Sequence, residues 1–299
     1  MLKKLPKPIL EPSKEGFDSK NVYNPSVIYV REKFIMLYRA EGEDNVTGRI
    51  GLALSEDGIN FVKHPEPVME PEYQWEKKGI EDPRVVKLGK RYVMTYTGYD
   101  GRIARLCIAV SKNLLSWEKG EPLFPNFPGN RLRPRGWTKS GAILPQKING
   151  EYIMYFGDSN IWIAYSSDGI HWEYYNSPVM KPRKGKFDSL LVEPGPPPIL
   201  TEDSIVLFYN SANENLVYRV GVALFDRDEP WKVKIRSRRP ILEPEYPWEL
   251  EGHVDNVVFL EGFVDLGNRL LFYYGGADKY VGLATWEGDL TSLLKFVVG

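Results

Sequence analysis

The chain has 299 residues, with 39 basic and 40 acidic side chains, a formal net charge of −1 and 42% hydrophobic residues. That balance offers no basic block or stripe suited to nucleic acid, and no apolar run is long enough to span a membrane. The single cysteine, Cys107, excludes an intramolecular disulfide, and its apolar surroundings read as those of a buried structural thiol.

The start, Met1-Leu2-Lys3-Lys4-Leu5-Pro6, carries charge with no apolar stretch behind it. It does not read as a secretory signal, so a cytoplasmic location is expected. A unit then returns five times along the chain. Each copy opens with Pro, two apolar residues and a second Pro: Pro8-Ile9-Leu10-Glu11-Pro12, Pro67-Val68-Met69-Glu70-Pro71, Pro122-Leu123-Phe124-Pro125, Pro178-Val179-Met180-Lys181-Pro182 and Pro240-Ile241-Leu242-Glu243-Pro244. The intervals are 55 to 62 residues. Later in each unit comes an aromatic strand end (Tyr38, Tyr96, Phe156, Tyr209, Tyr274), then a strand with a small residue at its middle (Ala53, Ala109, Ala164, Ala223, Ala284). A fixed period over the whole chain signals a repeat architecture.

Within the first unit, residues 26–30 and 33–38 are β-branched, aromatic and apolar runs joined by Arg31-Glu32, which predicts a hairpin. Residues 51–54 predict a third strand. The Pro-rich opening is expected as the fourth, on an edge where a missing N–H is tolerated. Four antiparallel strands repeated radially make a propeller blade. The fold expected is therefore all-β, a five-bladed β-propeller over residues 1–299 as one domain. The N-terminal segment is expected to supply the outer strand of the last blade and so close the ring. The small mid-strand residues are expected where neighbouring blades approach. Residues 289–296 fit either a short helix or a last strand.

Histidines 64, 171 and 253 lack metal-ligand spacing, and no nucleophile elbow, phosphate loop or dinucleotide fingerprint occurs. Chemistry is therefore sought where inner strands open with polar residues at one end of the channel: Asn24, Asp82, Ser140, the stretch 193–195, and Asp255-Asn256. Asp82 and Asp255 each lie seven residues after the Trp of a Glu-Tyr-x-Trp-Glu segment, Trp75 and Trp248. Carboxylates facing each other across a polar channel suit acid–base work on a glycosidic bond. Asp82-Pro83 also fits the plain opening of a strand by an Asx-type turn, with Arg84 as its partner. Trp117, Trp172 and Trp231 keep to the repeat and read as packing. Trp137 and Trp162 fall outside it and suit sugar stacking.

The chain resembles glycoside hydrolase family 130, five-bladed propellers that include β-mannoside phosphorylases. The resemblance rests on Asn24-Pro25-Ser26, Tyr38-Arg39, Glu81-Asp82-Pro83-Arg84, Gly141-Ala142-Ile143-Leu144-Pro145, Gly195-Pro196-Pro197-Pro198-Ile199, Asn256-Val257-Val258-Phe259 and Tyr274-Gly275-Gly276-Ala277-Asp278, in order over nearly the whole chain. It implies Asp82 as proton donor, acting through a sugar hydroxyl in the phosphorylases. It further implies Asn24, Arg39 and Asp278 as holders of the mannosyl unit, with Arg49 and Tyr218 lining the same pocket.

The chain departs from that pattern where phosphorylases bind phosphate. Lys139 stands in for an Arg, Asp158 follows Phe156-Gly157 where an Arg-Pro is usual, Glu193 lies in a stretch that lacks the usual Lys, and Asn210 replaces a His. Asp158 and Glu193 are expected to repel a phosphate dianion. The reading this favours is an inverting, exo-acting hydrolase of β-mannosides with water as nucleophile, Asp82 as acid and Glu193 or Glu261 as base. Arg84, Lys139, Asp158, Tyr218 and Asp255 complete the expected binding set. The alternative is a β-mannoside phosphorylase that releases mannose 1-phosphate, with phosphate bound by Lys139 and the run Arg131-Leu132-Arg133-Pro134-Arg135. A non-catalytic glycan-binding propeller is the third reading. Five-bladed glycosidases acting on furanosides fit less well, because their first-blade Asp is Asn24 here. The partner expected is a small oligosaccharide, with no cofactor and no metal; inorganic phosphate enters only as co-substrate in the phosphorylase alternative.

Overall fold

Strands dominate the computed structural model, which describes residues 2–129 and 133–298. They pair into five antiparallel sheets arranged as the blades of a propeller. Blade 1 runs outward from Asn21–Val30 through Lys33–Glu41 and Arg49–Ser55 to Val62–Lys63. Blade 2 comprises Gly79–Leu88, Arg91–Tyr99, Ala104–Ser111 and Glu118–Lys119. Blade 3 is the shortest, with Ala142–Ile143, Tyr152–Phe156, Trp162–Ser166 and Glu173–Tyr174. Blade 4 has Leu191–Pro194, Ser204–Ala212, Tyr218–Asp226 and Val233–Arg236, with Ile199–Leu200 also paired to its second strand. Blade 5 has Val258–Asp265, Arg269–Gly276 and Tyr280–Glu287, and Lys3–Lys4 pairs with the last of these through Lys3 opposite Thr285. The expected turn is present: Arg31 and Glu32 take φ of 51° and 60°, the mirror-image turn that suits the twist of a two-residue hairpin.

The Pro-rich openings are not the fourth strands. In the first four blades that place goes to the short strand just after the aromatic turn, such as Val62–Lys63. The third residue of the Pro-rich motif instead bridges back once to the third strand: Met69 to Ile50, Met180 to Ile161, Leu242 to Val220 and Leu10 to Val281. Two prolines so close together leave too few N–H groups for a ladder, and one bridge is what remains. Residues from 290 onward settle as a helix, Leu290–Val298, whose first turn is capped by the Asp289 carboxylate accepting from the Ser292 N–H at 2.7 Å. Leu290 and Leu293 bury against blades 4 and 5.

The core lies in five seams between blades rather than in one centre. One seam joins Met36 and Tyr38 of blade 1 to Leu271 and Tyr273 of blade 5. Another joins Val93 and Leu106 of blade 2 to Met154 and Phe156 of blade 3. Four blades also carry a buried polar latch. Tyr38, Tyr96, Tyr209 and Tyr274 donate their hydroxyls to Asp18, Glu76, Asp188 and Glu249. Each carboxylate is paired with a cation from the outermost strand: Lys63, Lys119, Arg236 and Lys4.

Those cations lie opposite Ala53, Ala109, Ala223 and Ala284 in register, so the small mid-strand residues sit under the latch. Glycine does the same beneath the Tyr ring: a Cβ at Gly51 would stand 2.3 Å from Tyr38 Cζ. Blade 3 has Phe156 in place of the Tyr and fills the space with Phe124, Phe127, Trp162 and Tyr174. The two Glu-Tyr-x-Trp-Glu segments serve this latch. Glu76 and Glu249 are the third residues of single helical turns and also accept the backbone N–H groups of Tyr73 and Tyr246.

Candidate active site

Inner strands carry the site because their first residues bulge. In blade 1 the register slips between Tyr23 and Ser26, and in blade 2 between Glu81 and Arg84. Asn24, Asp82, Ser140 and Asn256 take left-handed φ of 50°, 55°, 59° and 60°. Asn and Asp tolerate that region because their short polar side chains bond locally. A bulge re-aims a side chain that a regular pleat would send sideways. Gly275 completes the fit, since a Cβ there would lie 2.4 Å from Asn24 Oδ1.

Asp82 is 2% exposed and held from three sides. Its Oδ1 accepts from Asn24 Nδ2 at 2.9 Å and faces Arg39 Nη1 at 3.5 Å. Its Oδ2 faces Lys139 Nζ at 3.3 Å. Burial alone would raise its pKa, but Lys139, Arg39 and the Asn24 hydrogen bond outweigh burial and hold the carboxyl ionised, well below the usual range. Arg39 is itself tightly fixed. It donates to the Thr47 carbonyl through Nε and Nη2 at 3.0 and 2.7 Å, pairs with Glu41 and Glu81 at 3.1 Å, and lies 4.8 Å over the Tyr23 ring.

Across the channel Glu193 accepts a short hydrogen bond from Ser140 Oγ. Burial pushes its carboxyl up to about 7, helped by Asp158 and opposed by Lys139. Glu261 sits on the bulge between Leu260 and Gly262 and is fully buried. Burial raises its pKa well above the ordinary value, against the pull of Arg84. Arg84 Nη2 stands 2.7 Å from Glu261 Oε1, while its N–H groups are aimed at the carbonyls of Gly195 (2.8 Å) and Pro194 (2.9 Å). The pair is thus one of charge, and Arg84 ties blade 2 to blades 4 and 5. Asn210 pins the same strand, exchanging bonds with the Leu260 N–H and C=O at 2.7 and 2.9 Å.

Asp278 lies in a left-handed turn after blade 5's second strand. Burial, against Arg39 and with Asp82, lifts its pKa to about 7. Burial pushes the Tyr218 hydroxyl up to about 12, with Glu193 and Asp278 adding to it. Asp158 accepts from Trp137 Nε1 at 2.8 Å and from Arg133 Nε at 2.7 Å, with Arg133 lying 4.8 Å over the Trp137 ring.

The structure therefore brings together Asn24, Arg39, Asp82, Arg84, Lys139, Glu193, Glu261, Tyr218 and Asp278, with Asp158 at the rim. Two expected members fall elsewhere. Arg49 is spent on Asp44 and Glu70, at 2.5 and 2.8 Å, and shares no partner with the cluster. Asp255 is exposed and accepts from the Gly252 N–H at 3.1 Å. The left-handed position equivalent to Asp82 is Asn256, one residue on, so the matched Trp spacing misplaces it by one. Trp162 packs on Phe127 at 4.9 Å, which uses its ring for the blade 2–3 seam. Trp231 is 47% exposed rather than packed. Arg131 lies outside the described residues.

Three members escaped the sequence reading. Glu81 precedes Asp82, and Glu41 follows Arg39 by two positions on the same strand face, so period-two alternation pointed to it. Tyr23 donates to Glu41 at 2.5 Å and carries the Arg39 stack. Among the described residues no group of three or more His, Cys, Asp or Glu forms a metal site. No helix there is long and apolar enough to cross a membrane.

A family profile described as β-1,4-mannooligosaccharide phosphorylase matches residues 2–297. The chain is similar to a 1,2-β-oligomannan phosphorylase of Thermoanaerobacter sp. (strain X514), 41% identical over 94% of this chain and 95% of that one. A β-1,2-mannobiose phosphorylase of the same organism is 39% identical over 95% and 96%. Among solved structures one superposes with a TM-score of 0.89 at 34% identity, covering 96% of this chain and 94% of the other. Its description states that the family of mannoside phosphorylases contains glycoside hydrolases that target β-1,2 mannosidic linkages in Candida mannan.

Proposed function

We propose that this chain, which belongs to glycoside hydrolase family 130, splits terminal β-mannosides with inorganic phosphate and releases mannose 1-phosphate, β-1,2-linked mannosides being the first substrates. The observation that carries the reading is the Asp82 carboxylate, buried at the channel mouth with both oxygens facing donors, Asn24 and Arg39 from blade 1 and Lys139 at the start of blade 3. An acid fixed that firmly is aimed at one leaving oxygen. Asn24, Arg39 and Asp278 surround it with the donors and acceptors that a hydroxyl-rich ring needs.

Phosphate displaces water as the favoured nucleophile for two reasons. The two curated relatives at 41% and 39% identity, matched over nearly the whole of both chains, are named phosphorylases. The expected repulsion also weakens at Glu193, whose carboxyl burial pushes up to about 7. A protonated Glu193 does not repel phosphate and donates a hydrogen bond instead. In the reaction the C1–oxygen bond to the aglycone breaks, a C1–oxygen bond to phosphate forms, and the leaving oxygen takes the Asp82 proton, directly or through a sugar hydroxyl. The proton that hydrogen phosphate brought restores Asp82.

Hydrolysis is the second reading, and Glu193 favours it. A carboxyl with a pKa of about 7 on the far side of the channel suits a general base near neutrality. The test incubates the protein with β-1,2- and β-1,4-mannobiose, with and without phosphate. Mannose 1-phosphate formed only with phosphate is expected. Free mannose released without phosphate overturns the first reading for the second, and no product from any mannoside overturns both.

A further inference from the structure

We propose that Lys139 is a swinging counter-charge that holds Asp82 ionised in the free enzyme and moves to phosphate when phosphate binds, so that the co-substrate arms the acid. This rests on the phosphorolysis reading.

A proton donor is of no use while ionised, and Asp82 in this structure has three cations around it. Two of them are fixed. Arg39 is tied to the Thr47 carbonyl, Glu41 and Glu81 and stacked on Tyr23. Arg84 is tied to the Pro194 and Gly195 carbonyls and Glu261. Lys139 differs. Its ammonium stands 3.3 Å from Asp82 Oδ2 and 3.6 Å from Glu81 Oε2, longer than the roughly 2.7–2.9 Å of a seated charged hydrogen bond. Its backbone is anchored, the carbonyl accepting from the Gly157 N–H at 2.9 Å, while four rotatable carbons lie between that anchor and the charge.

The groups facing this pair are Glu81 on blade 2, Glu193 and Tyr218 on blade 4, Glu261 and Asp278 of blade 5, Arg39 and Asn24 on blade 1, and Arg84 beside Asp82. The carboxyl groups among them cannot draw the ammonium away from Asp82 without leaving Asp82 or Glu81 uncompensated. A bound phosphate dianion can, because it brings two negative charges and three acceptor oxygens. Asp82 then loses its nearest cation and gains a negative neighbour. Both changes raise its affinity for a proton. Before phosphate arrives the acid is discharged, so water has no armed donor to work with. The same lysine thus biases the site toward phosphate.

The experiment follows phosphorolysis of β-1,2-mannobiose against pH at phosphate concentrations below and above its KM, for the wild type, Lys139→Gln and Lys139→Arg. An acid catalyst loses activity as pH rises through its pKa, so arming moves the basic limb upward. In the wild type that limb is expected to rise by about one pH unit with saturating phosphate. In Lys139→Gln only the phosphate charge remains to move it, so the shift is expected to fall to less than half that of the wild type, with KM for phosphate up about tenfold or more and KM for mannobiose nearly unchanged. Lys139→Arg keeps the charge and is expected to keep the shift. Phosphate's own titration is common to all three proteins and cancels in the comparison. A limb that fails to move in the wild type overturns the proposal without any variant, as does a Lys139→Gln enzyme whose limb moves like the wild type's. Free mannose without phosphate from the wild type overturns the phosphorolysis reading itself, and this inference with it.

Discussion

Asn24 of blade 1 donates a 2.9 Å hydrogen bond to Asp82 of blade 2, and both residues stand at left-handed bulges, with φ of 50° and 55°. Two strained positions on separate blades thus support each other. Strain of this kind costs on the order of 1–3 kcal/mol per residue and persists where the surroundings enforce it. Asp82→Asn removes the acid and should lower kcat by about 10²–10⁴-fold. Asn24→Ala removes one bond to a charged group and should cost about 10–100-fold in kcat/KM. Product release from mannobiose under saturating phosphate measures both. Activity retained in Asp82→Asn would remove this residue from the chemistry.

Gly275 tests the same bond from behind. A Cβ there would stand 2.4 Å from Asn24 Oδ1 and 3.0 Å from Asn24 N. Gly275→Ala should push Asn24 off Asp82 and lose activity about as Asn24→Ala does, with a stability loss of about 1–3 kcal/mol from overpacking. The double variant should then be little worse than either single one, which a double-mutant cycle reads directly.

Glu193 gives a pH signature in stability. Its folded pKa of about 7 lies above its ordinary 4.5, so between those values the folded chain keeps a proton that the unfolded chain releases. The stability this group contributes is full below 4.5 and is lost as pH rises to about 7. Glu193→Gln cannot ionise and escapes that loss. Relative to the wild type it should gain on the order of 1–3 kcal/mol between about pH 4.5 and pH 8. Denaturant melts at the two pH values check this, and an equal effect at both would argue against a buried, proton-bearing Glu193.

The latch predicts that opposite substitutions destabilise different blades. Tyr274→Phe strips Glu249 of a 2.7 Å donor in a fully buried place and should cost about 1–3 kcal/mol. Phe156→Tyr should also destabilise, by a similar amount, because blade 3 offers aromatic rings and no carboxylate there. Neither should change KM for the sugar. Thermal melts and mannobiose kinetics on the same samples separate the two effects.

The five-fold period made the blades legible, because each unit repeats one strand order. It misled at the Pro-rich openings, where apolar residues between prolines look like a strand yet lack the N–H groups for a ladder. The bulges were half legible. Polar residues at the inner strand starts marked Asn24 and Asp82. The handedness that aims them is a backbone property, and a count from Trp248 therefore landed on Asp255 instead of Asn256. Arg39 was legible only through family likeness, while its partners Glu41 and Tyr23 read as ordinary strand residues. Raised pKa values at Glu193 and Asp278 come from burial among residues distant in sequence, which no local pattern carries.

Lys3 pairs with Thr285, and Lys4 with Glu249 across 245 positions of chain. During synthesis Lys3 and Lys4 are therefore made long before Thr285 and Glu249, and the first strand stays unpaired until those partners emerge. Folding of blade 5 is a long-range event of the slow kind. A bulky fusion directly ahead of Lys3 would disturb the last blade to fold rather than the first.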